Sequence, residues 1–212
     1  MAVARLSAVE RRQAIIEAAI RLFSEKGFRG VTTRELANAV GVSEPILYQH
    51  FQTKREIYSA IVESKSCEVE KKFGPSLLLS SDYEQDDRTI LRNIGASITR
   101  WYQDDPALNR LLMFSSLEGH EFSDLFFARH ASTQFDSLRQ YFEHRIEQST
   151  FRKFDPSIAA WAFIGMIAHH SMTRILYHFD PYPRPQEQII NEMVDLFLRG
   201  IQGSGAKNAR KK

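Results

Sequence analysis

The chain has 212 residues, 43% apolar and 25% charged, with a net charge of +2 and one cysteine, Cys67. That composition fits a soluble globular protein with room for two modest domains and excludes a disordered or low-complexity chain. The lone cysteine excludes an intrachain disulfide and a cysteine-built metal site, and fits a reducing cytoplasm. No apolar run approaches the roughly 20 residues a membrane span requires. The opening MAVARLSAVERRQAIIEAAIRLF is broken by Glu10, Arg11, Arg12 and Glu17, so neither a span nor a signal peptide is expected. Charge is unevenly spread. Residues 1–55 hold nine Lys/Arg against five Asp/Glu, residues 56–206 fifteen against twenty-one, and the last six residues carry Lys207, Arg210, Lys211 and Lys212. A basic head on an acidic body points to a polyanionic partner for the head, with chance asymmetry as the plain alternative.

In chain order, Ile15, Ile16, Ala18, Ala19, Leu22 and Phe23 form the stripe of a helix over about 8–26, closed by Lys26-Gly27. Thr32-Thr33-Arg34-Glu35 is a capping box that opens a short helix with Leu36, Ala37 and Val40, stopped at Gly41. Ser43 caps the next helix, 44–50, and Pro45 sits in its first turn, where a missing amide hydrogen does no harm. Thr53-Lys54-Arg55-Glu56 opens a long helix to about Phe73, buried along Ile57, Ala60 and Ile61. Residues 74–86 read as a loop. Helices follow at 87–103, 105–116, 121–149, 156–178 and 185–201, with Asp155-Pro156 and Asp180-Pro181-Tyr182-Pro183 punctuating the last two. Nothing predicts a sheet. The expected fold is all-α: a three-helix N-terminal domain at 1–53, a second helical domain at 54–202, and a disordered basic tail at 203–212.

Two helices joined by the tight turn Val40-Gly41-Val42 make the helix-turn-helix pattern, whose second helix enters the major groove. Ile46 and Leu47 are expected to pack on Leu36 and Ala37, leaving Glu44, Pro45, Tyr48, Gln49 and His50 to face outward or meet the backbone. Gln49 is the strongest base reader, because its amide both donates and accepts and so matches adenine N6 and N7. An exposed surface glutamine is the plain alternative. Glu44 fits cytosine N4, or is held off by phosphates. Arg34 reaches phosphate or base. Arg5, Arg11 and Arg12 track the backbone or a minor groove, or are simply solvated. Tyr48 also fits a half-buried core position.

The run TTRELANAVGVSEPILYQHFQTKREIYSAI, preceded by Phe23 and Gly27, resembles the N-terminal DNA-binding region of TetR-family transcriptional regulators over about residues 10–60. The remainder resembles the family only in being helical and of the right length. The resemblance implies phosphate contacts from Thr33, Tyr48 and His50. It also implies that Ser43 caps the reading helix and meets the backbone, and that the side chain or amide of Lys54 clamps a phosphate. Pro45 departs from the pattern, where glycine, lysine or alanine is more frequent; it offers a ring, with no amide hydrogen, to a thymine methyl.

Helix-turn-helix proteins usually pair and read a palindrome. Trp161, Gly165, His169 and Met172, with Ile190, Val194 and Phe197 on the last helix, are the expected pairing residues. The alternative for each stripe is that it fills this chain's own core. Trp101, Met113, Phe114, Phe127 and Phe135, with His120 and His169 as polar groups, fit the lining of an apolar effector cavity or a solid core equally well; the resemblance favours the cavity. It implies that 1–53 is a helix-turn-helix DNA-binding domain and 54–202 a helical ligand-binding and dimerisation domain, in a homodimeric repressor released from a palindromic operator by a small, largely apolar ligand. An activator, or a regulator without an effector, is the alternative. No enzyme is expected. His120-Glu121-Phe122-Ser123-Asp124 is not the zinc-peptidase spacing, and the adjacent His169 and His170 cannot face one metal together on a helix. No cofactor or metal is called for.

Overall fold

The computed structural model describes residues 7–73, 85–119, 123–124, 127 and 132–202. Among these residues the chain is built of α-helices with no strand: α1 (Ala8–Lys26), α2 (Thr33–Val40), α3 (Glu44–His50), α4 (Lys54–Phe73), α5 (Asp87–Asp104), α6 (Pro106–Glu118), α7 (Ser132–Glu147), α8 (Pro156–Ile175) and α9 (Gln186–Ile201). The first four helices match their expected bounds closely. Of the expected helix at 121–149, most of residues 120–131 lies outside the described residues, as do His120, the 74–84 part of the loop and the 203–212 tail.

Local chemistry sets the boundaries. Ser7 and Glu10 form a reciprocal capping box at the start of α1, a signal not read from sequence. Thr32 and Glu35 form the expected one on α2, and Glu35 also reaches Lys26 at 2.8 Å. Hydrogen bonds from Lys26 and from Thr32 hold the Glu35 carboxyl well down, at about 2. At α4 the cap is modified: Glu56 N donates to Thr53 Oγ1 at 3.1 Å, but the Glu56 carboxylate accepts from Gln52 N, at 2.8 Å. Asp105 and Asp155 cap α6 and α8, each followed by proline in the first turn.

The chain divides into two compact units. One joins α1–α4 with α6, and the other joins α5 with α7–α9. Thus α4 and α6, expected in the second domain, pack with the helix-turn-helix. In this head unit Ile15, Ala19, Phe23, Leu36, Leu47, Phe51, Ile57 and Ile61 are buried along with Leu108 and Leu111 of α6. Phe23, Phe28 and Tyr58 form a ring cluster with centroids 4.8–5.5 Å apart.

In the body unit α5 runs parallel to α8 and antiparallel to α9. Thr99 meets Ser171 at 3.1 Å, Gln103 donates to Gln186 at 2.6 Å, and Arg88 pairs with Asp195. Gly95 permits the close approach: a Cβ there would lie 3.0 Å from Ile190 and 3.6 Å from Ile167. The core is Leu91, Leu138, Tyr141, Phe142, Phe163, Ile167 and Val194. No described helix is long and apolar enough to cross a membrane. No group of three metal-ligating side chains occurs among the described residues.

Candidate nucleic-acid interface

The turn between α2 and α3 is closed by its own backbone. Gly41 adopts φ +73°, a left-handed conformation natural to glycine, and lets Gly41 N reach Asn38 O at 3.1 Å and Val42 N reach Ala37 O at 3.0 Å. Leu47 is buried at the crossing, and Ile46 is half-buried beside it. Ser43 occupies the cap position of α3, but its hydroxyl makes no capping hydrogen bond. Its carbonyl accepts from Ile46 and Leu47 at 3.0 and 3.1 Å. The seven-residue helix is therefore anchored by its backbone start and by Leu47 rather than by the expected side-chain cap.

Pro45, Tyr48 and Gln49 are exposed, while Glu44 and His50 are half-buried. Tyr48 is 44% exposed, which removes the core alternative. Its hydroxyl meets Thr33 Oγ1 at 3.4 Å, and Thr33 Oγ1 donates to Glu44 at 3.3 Å. Three residues singled out from sequence thus form one polar chain from the start of α2 to the two ends of α3. Glu44 is held by Thr33, a neighbour the sequence did not suggest. Arg34 is exposed on α2. Arg12 is exposed, with its guanidinium 4.6 Å from the Phe51 ring centroid. Arg5 lies outside the described residues.

Lys54 opens α4 as expected, but its side chain points into the head. Its ammonium turns inward, donating to Phe28 O at 2.5 Å and Val31 O at 2.7 Å, and sits 4.2 Å from the Phe28 ring centroid. Burial pushes its pKa down. The side chain braces the α1–α2 connection.

Glu118, not singled out from sequence, does the complementary work. It ends α6 and accepts from Phe28 N at 3.0 Å and Arg29 N at 3.3 Å. The α1–α2 connection is therefore gripped by its carbonyls from α4 and by its amides from α6. Gly27 is tied to this contact, since a Cβ there would come within 2.5 Å of the Glu118 carboxylate. The available sequence signal was an acid in the last turn of a helix, where the dipole disfavours it.

The expected effector residues do not gather in one unit. Met113, Phe114 and the exposed Phe127 belong to the head unit; Trp101, Phe135 and His169 belong to the body unit. Phe114 would lie 3.2 Å from a Gly27 Cβ, so it packs on the head's own loop. Phe135 stacks edge-on against Trp161 at 5.5 Å. His169 is exposed, whereas its neighbour His170 is half-buried.

The pairing residues divide as well. Trp161 is 71% exposed, and Gly165 and His169 are exposed on the same side of α8, with the partly buried Met172 one turn on. Ile190 and Val194 are 5% and 0% exposed and fill this chain's own core, with Phe197 packed against it. Leu196, 68% exposed, is the outward apolar residue of α9. The apolar stripe of α9 is wide, and its centre is consumed within the chain.

Fold and interface together define a helix-turn-helix DNA-binding transcriptional regulator. Residues 15–61 match the family described as bacterial regulatory proteins, tetR family, and residues 89–200 match the AefR-like transcriptional repressor C-terminal domain. The chain belongs to the TetR family of bacterial transcriptional regulators. It is similar to the nucleoid occlusion factor SlmA of Actinobacillus pleuropneumoniae serotype 5b (strain L20), with 29% identity over 148 residues, 69% of this chain and 70% of that protein. The transcriptional activator FasR of Mycolicibacterium smegmatis (strain ATCC 700084 / mc(2)155) is 41% identical over 59 residues, 28% of this chain and 27% of that one. Among solved structures, AibR in complex with isovaleryl coenzyme A and operator DNA superposes with a TM-score of 0.61 at 26% identity, covering 88% of this chain and 97% of that one.

Proposed function

We propose that the protein is a homodimeric repressor that reads a palindromic operator and is released by a small, largely apolar ligand. The observation that carries this reading is the outward face of α3, where Pro45, Tyr48 and Gln49 are exposed on a helix anchored from below by Leu47. Gln49 reads a base. Thr33, Arg34, Ser43, Tyr48 and His50 position the helix on phosphates, together with the amides that begin α4 at Lys54. Glu44 and Pro45 read or exclude at the edge of the site. Trp161, Gly165, His169 and Met172 of α8, with Leu196 of α9, form the pairing face. A Cβ at Gly165 would meet nothing within 4 Å, which leaves room for close helix approach. AibR, solved in complex with isovaleryl coenzyme A and operator DNA, supports both halves of the reading.

Release works through the gripped loop. A ligand that prefers the non-binding state shifts α4 or α6, and the α1–α2 connection carries the shift to α3. Similarity to an activator and to a nucleoid occlusion factor favours a second reading, in which DNA binding is kept but the output is not ligand-released repression. Sedimentation of the full chain tests pairing. A dimer is expected, and Trp161→Glu should sediment as a monomer and lose operator affinity. A Trp161→Glu monomer that binds the operator undiminished would contradict the homodimer.

A further inference from the structure

The C-terminal end of α8 carries a pair, His170 and Arg174, that operator reading and dimer pairing do not use. Residues four apart on a helix are neighbours on one side. This pair adjoins the buried Phe163, Ile167 and Ser171, beside the α5 helix that Ser171 contacts through Thr99. Arg174 Nε meets Asp180 Oδ2 at 3.1 Å, which fixes the guanidinium plane. Its Nη1 and the His170 Nε2 are both closed off from solvent and meet no hydrogen-bond partner among the described residues.

A structural role explains part of this. A cation in the last turn of a helix complements the dipole, and the Asp180 contact ties down the following loop. Neither accounts for Nη1, nor for His170. Buried polar groups are nearly always hydrogen-bonded, so two unmet nitrogens on adjacent turns call for a shared explanation. Burial, then Arg174, lowers the pKa of His170, so at neutral pH the ring is an uncharged donor beside a fixed cation. Tyr102, its phenol held neutral by burial, and Tyr177 lie at the same end of the α5–α8 pair. Arg174 remains 32% exposed, so the pair sits at the margin of the bundle, within reach from outside.

We propose that His170 Nε2 and Arg174 Nη1 anchor an oxyanion, a carboxylate or a phosphate, at one end of an otherwise apolar effector. The proposal rests on the effector reading above. A guanidinium suits such groups because its N–H donors lie in a rigid plane that matches two oxygens. Asp180 occupies the Nε edge and competes with the ligand for the same cation, which keeps binding reversible.

Three probes with one tail separate the possibilities: octanoate, octyl phosphate and octanol. Each is titrated into the full chain by calorimetry, with the His170 imidazole followed by NMR and assigned through His170→Gln. At least one anionic probe should bind, move the His170 signals and raise that group's pKa; whether octanoate or octyl phosphate binds tighter identifies the head group. Arg174→Met should weaken that probe about tenfold or more, the loss of one charge-assisted bond. Asp180→Asn should tighten it, by about threefold, since a competing carboxylate is removed. The two substitutions break the same ion pair, so a merely structural role would move affinity in one direction for both. Equal binding of octanol, failure of every probe to bind, or same-direction effects of the two variants would overturn the anchor. A probe that releases the operator without moving His170 would refute the anchor and leave the effector reading standing.

Discussion

The head and the body secure their helices by different means. In the head, α2 and α3 have eight and seven residues, too short to be stable alone. Thr32 with Glu35 caps α2, Leu47 and the Ser43 carbonyl anchor α3, and polar bonds to backbone hold the connection before α2: Lys54 to Phe28 and Val31, Glu118 to Phe28 and Arg29. The body joins helices of 16 to 20 residues through an apolar interior centred on Phe163, Phe142 and Val194. The head therefore combines one buried anchor under α3, Leu47, with directional contacts on the α1–α2 connection. The body is governed by volume, which small shifts leave intact.

Substitutions can break or sharpen that contrast. The largest effect is expected in the body. Phe163→Ala should cost about 3–5 kcal/mol, transfer loss plus cavity, seen as a lower urea midpoint. The folded fraction should keep its base preference; a changed preference would mean that the body core aims α3. Next comes Lys54→Met, which keeps the stem and removes two charge-assisted bonds. It should lower head stability by about 2–3 kcal/mol in thermal unfolding. Operator affinity should drop while the slope of log affinity against log salt stays unchanged. A slope reduced by about one would show that the ammonium meets a phosphate after all.

Gln49→Ala should leave the melting temperature almost unmoved and relax one base position by about 1–3 kcal/mol, measured against single-base operator variants. Equal losses at every position would sink its reading role. The smallest effect concerns pH. The Glu35 carboxyl is depressed in the folded head to about 2, first by Lys26 and then by Thr32. Its contribution is therefore complete above the ordinary carboxylate value of 4.5 and is lost as pH falls from there toward 2. Melting temperatures between pH 6 and 2 should fall more steeply in the wild type than in Glu35→Gln. Parallel curves would count against the box as a pH-linked contact.

Much of the head was legible because its signals are local. Thr32, Gly41, Pro45 and the capping contact of Glu35 act within four residues of themselves, and the helix bounds they imply agree with the structure. What escaped was the direction taken by long or ambivalent side chains. Lys54 looks like a free cation in sequence, yet finds two carbonyls more than twenty residues away. Ser43 has the right type for a cap and does not make the bond. On α9 the stripe is broad enough to face two ways, and its packing against α5 and α8 turns Ile190 and Val194 inward. His169 and His170 are indistinguishable as adjacent letters; the roughly 100° between them on a helix places one outside and one in. The candidate effector residues were the least legible, because a large aromatic looks the same in a cavity wall and in a solid core.

Reading of a specific palindrome by the α3 helices of a paired molecule is tested most directly by capturing fragmented genomic DNA of the host on the purified full chain and sequencing what is bound. An enriched palindromic site is the expected result, with its preference at one position per half-site relaxed in Gln49→Ala. Recovery of DNA with no enriched palindrome would contradict it.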